Sequence, residues 1–303
     1  MSSAPRGVIH DLGYRGFDGR RLGDGAITLE LYRNSLAQAF GIGRSGKAKI
    51  MPWLIIAIMT VPAVVLGAIS IQMSQTPAAG SGGASAPSNY FGYPYWTQLP
   101  ITILVAVQAP VLFARDLRYR SIVLYFARPV SRTRFVLTRL AALATAIFLV
   151  ITGPMLLWFA CAVSTGVDTG THARHFGAAV VGVAVLSMIL ATIGAFVSAI
   201  ATRSGLAVAA IIVVLMVPSA MITMALGVSS QTGGTGVAQA ISAFHPFTAV
   251  AVFVSGVFGD PPAMGALPQP QGWRVIPAVV ACIAWIALPA LALVVRMRKA
   301  ASL

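Results

Sequence analysis

The sequence predicts an all-helical integral membrane protein with six transmembrane helices. Of its 303 residues 57% are apolar and only 9% charged, the mean hydropathy is +0.85, and apolar runs of transmembrane length recur along the chain. A chain of this composition cannot hide its hydrophobic surface inside one water-soluble core, so the bilayer must be its solvent. Crossing a hydrocarbon core of about 30 Å takes roughly 20 helical residues. Runs of that kind lie at 52–72, 96–114, 140–164, 177–202, 206–227 and 274–295.

Six crossings put both termini on one side, and basic residues choose the side. Eight Lys and Arg precede residue 50, seven lie in the loop 115–139, Arg203 sits in a short turn, and Arg296, Arg298 and Lys299 form the tail. Nineteen of the twenty-one therefore border one face, leaving Arg174 and Arg274 opposite. The positive-inside rule makes the crowded face cytoplasmic. The same asymmetry disposes of nucleic-acid binding as an account of the +14 net charge, because the Arg clusters border membrane helices and serve headgroups or a protein partner. Arg preferred over Lys, with heavy Ala, Gly and Val usage, points to a GC-rich bacterial genome and hence to the inner membrane as location.

The first 26 residues are polar and Gly-rich, without the apolar core of a cleaved signal peptide, and are expected to form a flexible cytoplasmic terminus. Trp53, Trp96 and Trp273 each stand at the start of a run, and Tyr90, Tyr93 and Tyr95 cluster before the second, as interfacial anchors do. The stretch TPAAGSGGASAPSN between the first two runs has too little apolar surface to fold alone and reads as a mobile outer loop. Residues 241–258 are apolar, but a full crossing there would expel the basic tail. A re-entrant or interfacial hairpin entering from the outer face, interrupted at His245 and Pro246, satisfies the count. No internal repeat is evident, which disfavours a transporter built of inverted halves.

Two further elements lie on the basic side. Residues 27–42 place Leu29, Tyr32, Leu36, Ala39 and Phe40 on one helical face, with Glu30, Arg33, Asn34 and Gln38 elsewhere, which predicts an amphipathic helix on the inner membrane surface or docked on a soluble partner. A basic turn then closes the interfacial segment 27–51, and the spanning domain occupies 52–296 with the tail at 297–303. The loop 115–139 continues helically from the second run, breaks at Arg128 and Pro129, and restarts with Ser131 as a helix cap flanked by Val130 and Phe135 as a hydrophobic staple. Apolar residues 122–126 among seven Arg make this loop a docking surface rather than a connector.

An acidic residue at the inner end of the second run, Asp116, a short apolar helix from Leu117 to Phe126, and the turn Pro129-Val130-Ser131-Arg132 leading into the third run resemble the permease subunits of type 2 ABC (ATP-binding cassette) exporters. That family often carries Glu where Asp116 stands. The interfacial helix, six spans and outer hairpin are similar as well, so the resemblance extends over nearly the whole chain. It implies that the loop is a coupling helix seated in a groove of a separate ATP-binding subunit, with Asp116, Tyr119, Arg120, Arg128, Pro129, Ser131 and Arg132 as contacts. It also implies two ATP-binding subunits per complex, ATP and magnesium held there rather than in this chain, and a second permease subunit, identical or paralogous.

Other motifs carry less. GIGRSGKA at 41–48 has the spacing of a phosphate loop but ends in Ala48 where Ser or Thr must hold magnesium, and it follows an amphipathic helix rather than a strand, so a flexible basic turn is the better account. Asp168, His172 and His175 could ligate a metal, but without further ligands a solvated polar loop is favoured. His245 beside Pro246 reads as a helix interruption, and Cys161 and Cys282, inside apolar runs, as packing residues. No hydrolase motif is present, so the chain is not expected to be an enzyme by itself. Apart from Arg274 at the very start of the last, the six runs contain no Asp, Glu, Lys, Arg or His, whereas proton-coupled pumps need such groups in the pathway. Gln72, Gln98 and Gln108 are the larger polar groups, and Met188, Met216, Met221 and Met224 supply adaptable apolar surface, which suits an amphiphilic or hydrophobic substrate. An ion-coupled secondary transporter and a non-transporting scaffold remain the rival readings.

Overall fold

In hydrocarbon a backbone must satisfy its own hydrogen bonds, and a chain this apolar has helix as its local solution. The computed structural model describes residues 23–43, 46–75, 87–114, 131–166, 168–201, 203–232 and 235–300, and no strand occurs among them. In order the helices are α1 (Asp24–Ala39), α2 (Gly46–Ser74), α3 (Gly92–Trp96), α4 (Gln98–Leu112), α5 (Arg132–Ser164), α6 (Thr169–Ile200), α7 (Ser204–Thr232), α8 (Thr235–Ser242), α9 (Pro246–Phe258) and α10 (Ile276–Ala300), the last preceded by a 3-10 turn at Gly272–Val275. Among the described residues five helices are long and apolar enough to cross a membrane: α2, α5, α6, α7 and α10.

The second expected span differs. It is not one helix over 96–114 but the short α3, a break at Thr97 and the 15-residue α4. At 1.5 Å per residue α4 covers about 22 Å, less than the hydrocarbon core. The expected hairpin is broken where its sequence indicated: α8 ends at Ser242, His245 is extended, and Pro246 opens α9, where a missing N–H costs nothing.

Helix α6 is the centre of the bundle, packing against α4, α5, α7, α9 and α10. Of the most apolar stretch of α6, 61% is buried, against 28% for α2 and 17% for both α7 and α10, so these three helices turn most of their apolar surface outward. Small residues let helices approach where no hydrophobic force distinguishes lipid from neighbour. A Cβ on Gly194 would stand 2.7 Å from Val105 of α4, and one on Gly67 would stand 3.0 Å from the Cys161 sulfur, so both glycines mark close crossings.

Helix α1 lies against α5, but its packed face is rotated from the expected one. Ser35 and Ala39 are buried and Leu31 packs on the core, whereas Leu29 is 57% exposed. The Tyr32 hydroxyl donates to Thr145 Oγ1 at 2.9 Å, which sets this rotation. After α1 the Ile42 N–H bonds the Ala37 carbonyl and the Gly41 N–H bonds the Gln38 carbonyl, a Schellman ending with Gly41 at φ +72°. The phosphate-loop look-alike is thus a helix stop running into the first turn of α2; its residues 44 and 45 lie outside the described set.

The aromatic cluster is a second correction. Trp53, Trp96 and Trp273 are 56%, 69% and 75% exposed, as anchors should be, but Tyr90, Tyr93 and Tyr95 are all buried. Tyr90 sits among Trp158, Phe159 and Phe176, with its ring 4.4 Å from that of Trp158. The Tyr93 hydroxyl donates to the Met59 carbonyl. Because α3 folds into the bundle instead of lying at its rim, these rings are core, and burial raises the Tyr90 and Tyr93 hydroxyl pKa values above the ordinary phenol range.

Candidate functional site

The polar chemistry of the bundle gathers at its two ends. At the α1 end, Ser131 caps α5: its Oγ accepts from the Arg134 N–H at 3.3 Å, as the cap expectation required. The Arg134 guanidinium in turn meets Asp24 of α1 at 3.0 Å on the surface. One turn further into α5, Arg139 is 4% exposed, lies over the Phe135 ring at 4.5 Å and donates to the Leu112 carbonyl at the end of α4. The chain therefore leaves α4 at Leu112 and re-enters at Ser131 within a frame in which α1, α4 and α5 are bonded to one another. Of the predicted coupling contacts, Asp116, Tyr119, Arg120, Arg128 and Pro129 lie outside the described residues. Ser131 and Arg132 stand at the start of α5. Replacing Ser131 with alanine is expected to cost about 1 kcal/mol, the usual value of a lost side-chain cap, measured as a lowered unfolding temperature in detergent.

At the other end, the segment expected to be a solvated loop is the start of α6. Asp168 is its N-cap, in the left-handed region at φ 49°, and helix begins at Thr169. This turns His172 and His175 inward, where both are buried. His172 Nδ1 lies 2.8 Å from the Tyr90 hydroxyl. His175 Nδ1 lies 2.6 Å from Oδ1 of Asp260, a residue 1% exposed and 85 positions away, which no local sequence signal pairs with it. Burial raises the Asp260 carboxyl above the usual carboxylate pKa, opposed by the His175 hydrogen bond and by the charges of His175 and Arg174. Arg174 donates to the Phe258 carbonyl at 3.1 Å, Gln269 to the Asp260 carbonyl at 3.1 Å, and Asn89 to the Pro262 carbonyl at 2.7 Å. The connection between α9 and α10 is thereby pinned to α6 and to the approach to α3.

This arrangement corrects the picture of a membrane bundle free of ionisable groups. The runs 140–164 and 177–202 contain none, but the helices around them extend further and bury Arg139, His172 and His175 near their ends. Nearer mid-bundle the polar groups are neutral: Ser219 donates to Gln98 Oε1 at 2.7 Å, while Thr102 Oγ1, Gln108 Oε1 and Ser187 Oγ are buried without a hydrogen-bond partner among the described residues. Gln72 is exposed. His245, at the α9 break, donates from Nε2 to the Leu215 carbonyl at 2.9 Å, which ties the broken segment to α7. Cys161 and Cys282 are both free thiols.

Among the described residues no three metal-ligating side chains converge, and His172 and His175 are engaged by Tyr90 and Asp260. Of the methionines considered as adaptable surface, Met216 packs against the core, whereas Met221 and Met224 are 67% and 75% exposed along α7. The arrangement offers two braced ends joined by apolar helices. No protein-family model matches the chain, and no curated protein matches it in sequence.

Proposed function

We propose that this chain is the membrane-spanning permease subunit of an ATP-driven exporter of the type 2 ABC class, carrying an amphiphilic or hydrophobic substrate out of the cytoplasm or inner leaflet across a bacterial inner membrane. The observation that carries this reading is the braced frame at the α1 end. The described residues on either side of 115–130 are held, the Leu112 carbonyl by Arg139 and the capped start of α5 by Asp24 of α1. A displacement delivered there by a cytoplasmic partner would pass into α4 and α5, and α5 packs along the central helix α6. Mechanical input suits a mid-bundle in which, among the described residues, the polar groups are Gln, Ser and Thr, with His245 held by the Leu215 carbonyl.

On this reading α4 completes a sixth crossing together with its flanking residues, which keeps both termini on the basic, cytoplasmic face. Helices α8 and α9, about 12 Å and 20 Å long, are each too short to cross. They form a re-entrant hairpin on the outer side, its break filled by His245 and by Thr248, which donates to the Ser242 carbonyl at 2.7 Å. ATP and magnesium belong to a separate subunit present in two copies, and a second permease chain completes the path. ATP binding draws the two coupling segments together and shifts the permease pair between states of different access.

Affinity purification of the tagged chain in mild detergent is the test. Wild type should bring down an ATP-binding subunit with ATPase activity, and a variant with alanine at Arg120, Arg128 and Arg132 should lose it while keeping its unfolding temperature. Absence of any ATPase from the wild-type complex, under conditions that preserve complexes, overturns the reading. A second reading, ion coupling, draws support from the buried His175–Asp260 pair. It requires that the chain reconstituted alone transport substrate when an ion gradient is imposed, without ATP.

A further inference from the structure

Two concavities meet around the short helix α8. The first, a cavity of about 950 Å³, lies between α8 and the connection into α10, with Gln239, Gln269, Gln271, Trp273 and Arg274 on its wall. Its size is that of a pocket for a small organic ligand, about 300 to 1,000 Å³. The second, a groove of about 540 Å³, lies between α8 and α7 and is almost wholly apolar, with Met221, Met224, Ala225, Val228, Val237 and Ile241 around it. Gly236, Gln239 and Ala240 of α8, with Ala243 just beyond it, line the polar cavity, and Val237 and Ile241 of the same helix line the groove. At 100° per residue these are neighbouring faces of one helix, so the two spaces are separated only by the exposed ridge of α8. Helix α8 is fixed in that position because the Gln239 amide donates to the Arg274 carbonyl.

Charge distinguishes the polar cavity. Arg174 and Arg274 are the basic residues at the end of the bundle remote from α1, and Arg174 is engaged by the Phe258 carbonyl beside Asp260. Arg274 is exposed, its guanidinium lies 5.9 Å from the Trp273 ring, and no carboxylate meets it among the described residues. A cation with amide donors around it, a Trp ring that sits at the membrane interface, and an adjoining apolar groove lined by flexible Met side chains together match the two ends of an amphiphile.

We infer that α8 and the turn into α10 form a binding site for one anionic phospholipid, its phosphate headgroup beside Arg274 and the amides of Gln239 and Gln271, and one acyl chain in the Met221–Met224 groove. The site needs only that the chain is embedded in a bilayer; it does not rest on the exporter reading. Ordinary boundary lipid would occupy the groove without regard to headgroup, whereas this site selects net negative charge.

The full chain is reconstituted in phosphatidylcholine nanodiscs doped with phosphatidylglycerol bearing a photoactivatable acyl chain, and crosslinks are mapped by peptide mass spectrometry. Crosslinks are expected within 221–241, lost on competition with unlabelled phosphatidylglycerol but not with added phosphatidylcholine or inorganic phosphate. Arg274→Gln should lower them about fivefold, the worth of one basic side chain at a membrane surface, while Arg203→Gln leaves them unchanged. Ala225→Trp, which fills the groove, should lower them with Arg274 intact. Equal crosslinking by a phosphatidylcholine probe, indifference to Arg274→Gln, or displacement by inorganic phosphate overturns the assignment; the last would mark an anion site without a lipid.

Discussion

Replacing His175 with alanine is expected to destabilise the folded chain by about 1 to 3 kcal/mol, the usual cost of leaving a buried polar group without its hydrogen-bond partner. The side chains of His175 and Asp260 are only 11% and 2% exposed, and Asp260 Oδ2 already has no hydrogen-bond partner among the described residues. Without His175 the carboxylate would be buried with neither oxygen paired to that ring. Replacing both residues with leucine should cost far less, because the penalty lies in the stranded charge more than in the lost contact. Linkage adds a sign. The Asp260 pKa is raised by burial, and losing His175 raises it further. A carboxyl with a raised folded-state pKa favours folding at low pH and loses that advantage as pH rises through the folded pKa, so the single variant should be most impaired at neutral and alkaline pH and recover on acidification. Unfolding temperatures in detergent, measured for the wild type, both single variants and the double variant across that pH range, check this. A single variant as stable as the double at neutral pH would mean that the pair is hydrated.

The second large effect is expected at Gly182, where α6 meets α9 and the approach to α3. An added Cβ would stand 2.4 Å from Val254 Cγ2 and 2.8 Å from two carbons of the Phe91 ring, both buried side chains. Alanine in place of glycine gains about 1 kcal/mol of helix propensity, but overpacking of a close-packed core costs about 1 to 3 kcal/mol, and the Phe91 ring cannot move aside as a flexible chain end could. A net loss is therefore expected for Gly182→Ala, and failure to accumulate folded protein for Gly182→Leu. Gly177, five residues earlier in α6, would place its Cβ with nothing within 4 Å. Gly177→Ala should then be neutral or stabilising by up to about 1 kcal/mol. Adding Val254→Ala to Gly182→Ala should recover part of the loss. If the two alanine variants behave alike, α6 is not packed as tightly as its neighbours imply.

How far the sequence was legible follows from what each signal measures. Hydropathy averaged over a window reports which solvent a segment needs, and it located the five long helices, whereas the break at His245–Pro246 was announced by the proline. Local capping chemistry is equally self-contained: Ser131 with Arg134, three residues apart, announced the start of α5. The second run is helical but shorter than its apolar stretch, because Thr97 and Phe113 cap α4 at its two ends and an average over apolar residues does not see where a helix stops. The coupling contacts Asp116, Tyr119, Arg120, Arg128 and Pro129 rest on resemblance and await the test given above.

Composition and periodicity by themselves determined that this chain is an apolar helical protein suited to lipid as its solvent, because transfer free energy is a sum over residues near one another in the chain. Only the tertiary structure decided which groups are partners. His175 and Asp260 are 85 positions apart, Tyr90 and His172 are 82 apart, and Tyr32 and Thr145 are 113 apart. Whether Tyr90 faces lipid or core, and whether His175 is solvated or buried, depends on how α3 and α6 are turned. That rotation is set by packing across the bundle, where glycines such as Gly182 and Gly194 admit the neighbouring helix, and no local pattern encodes it.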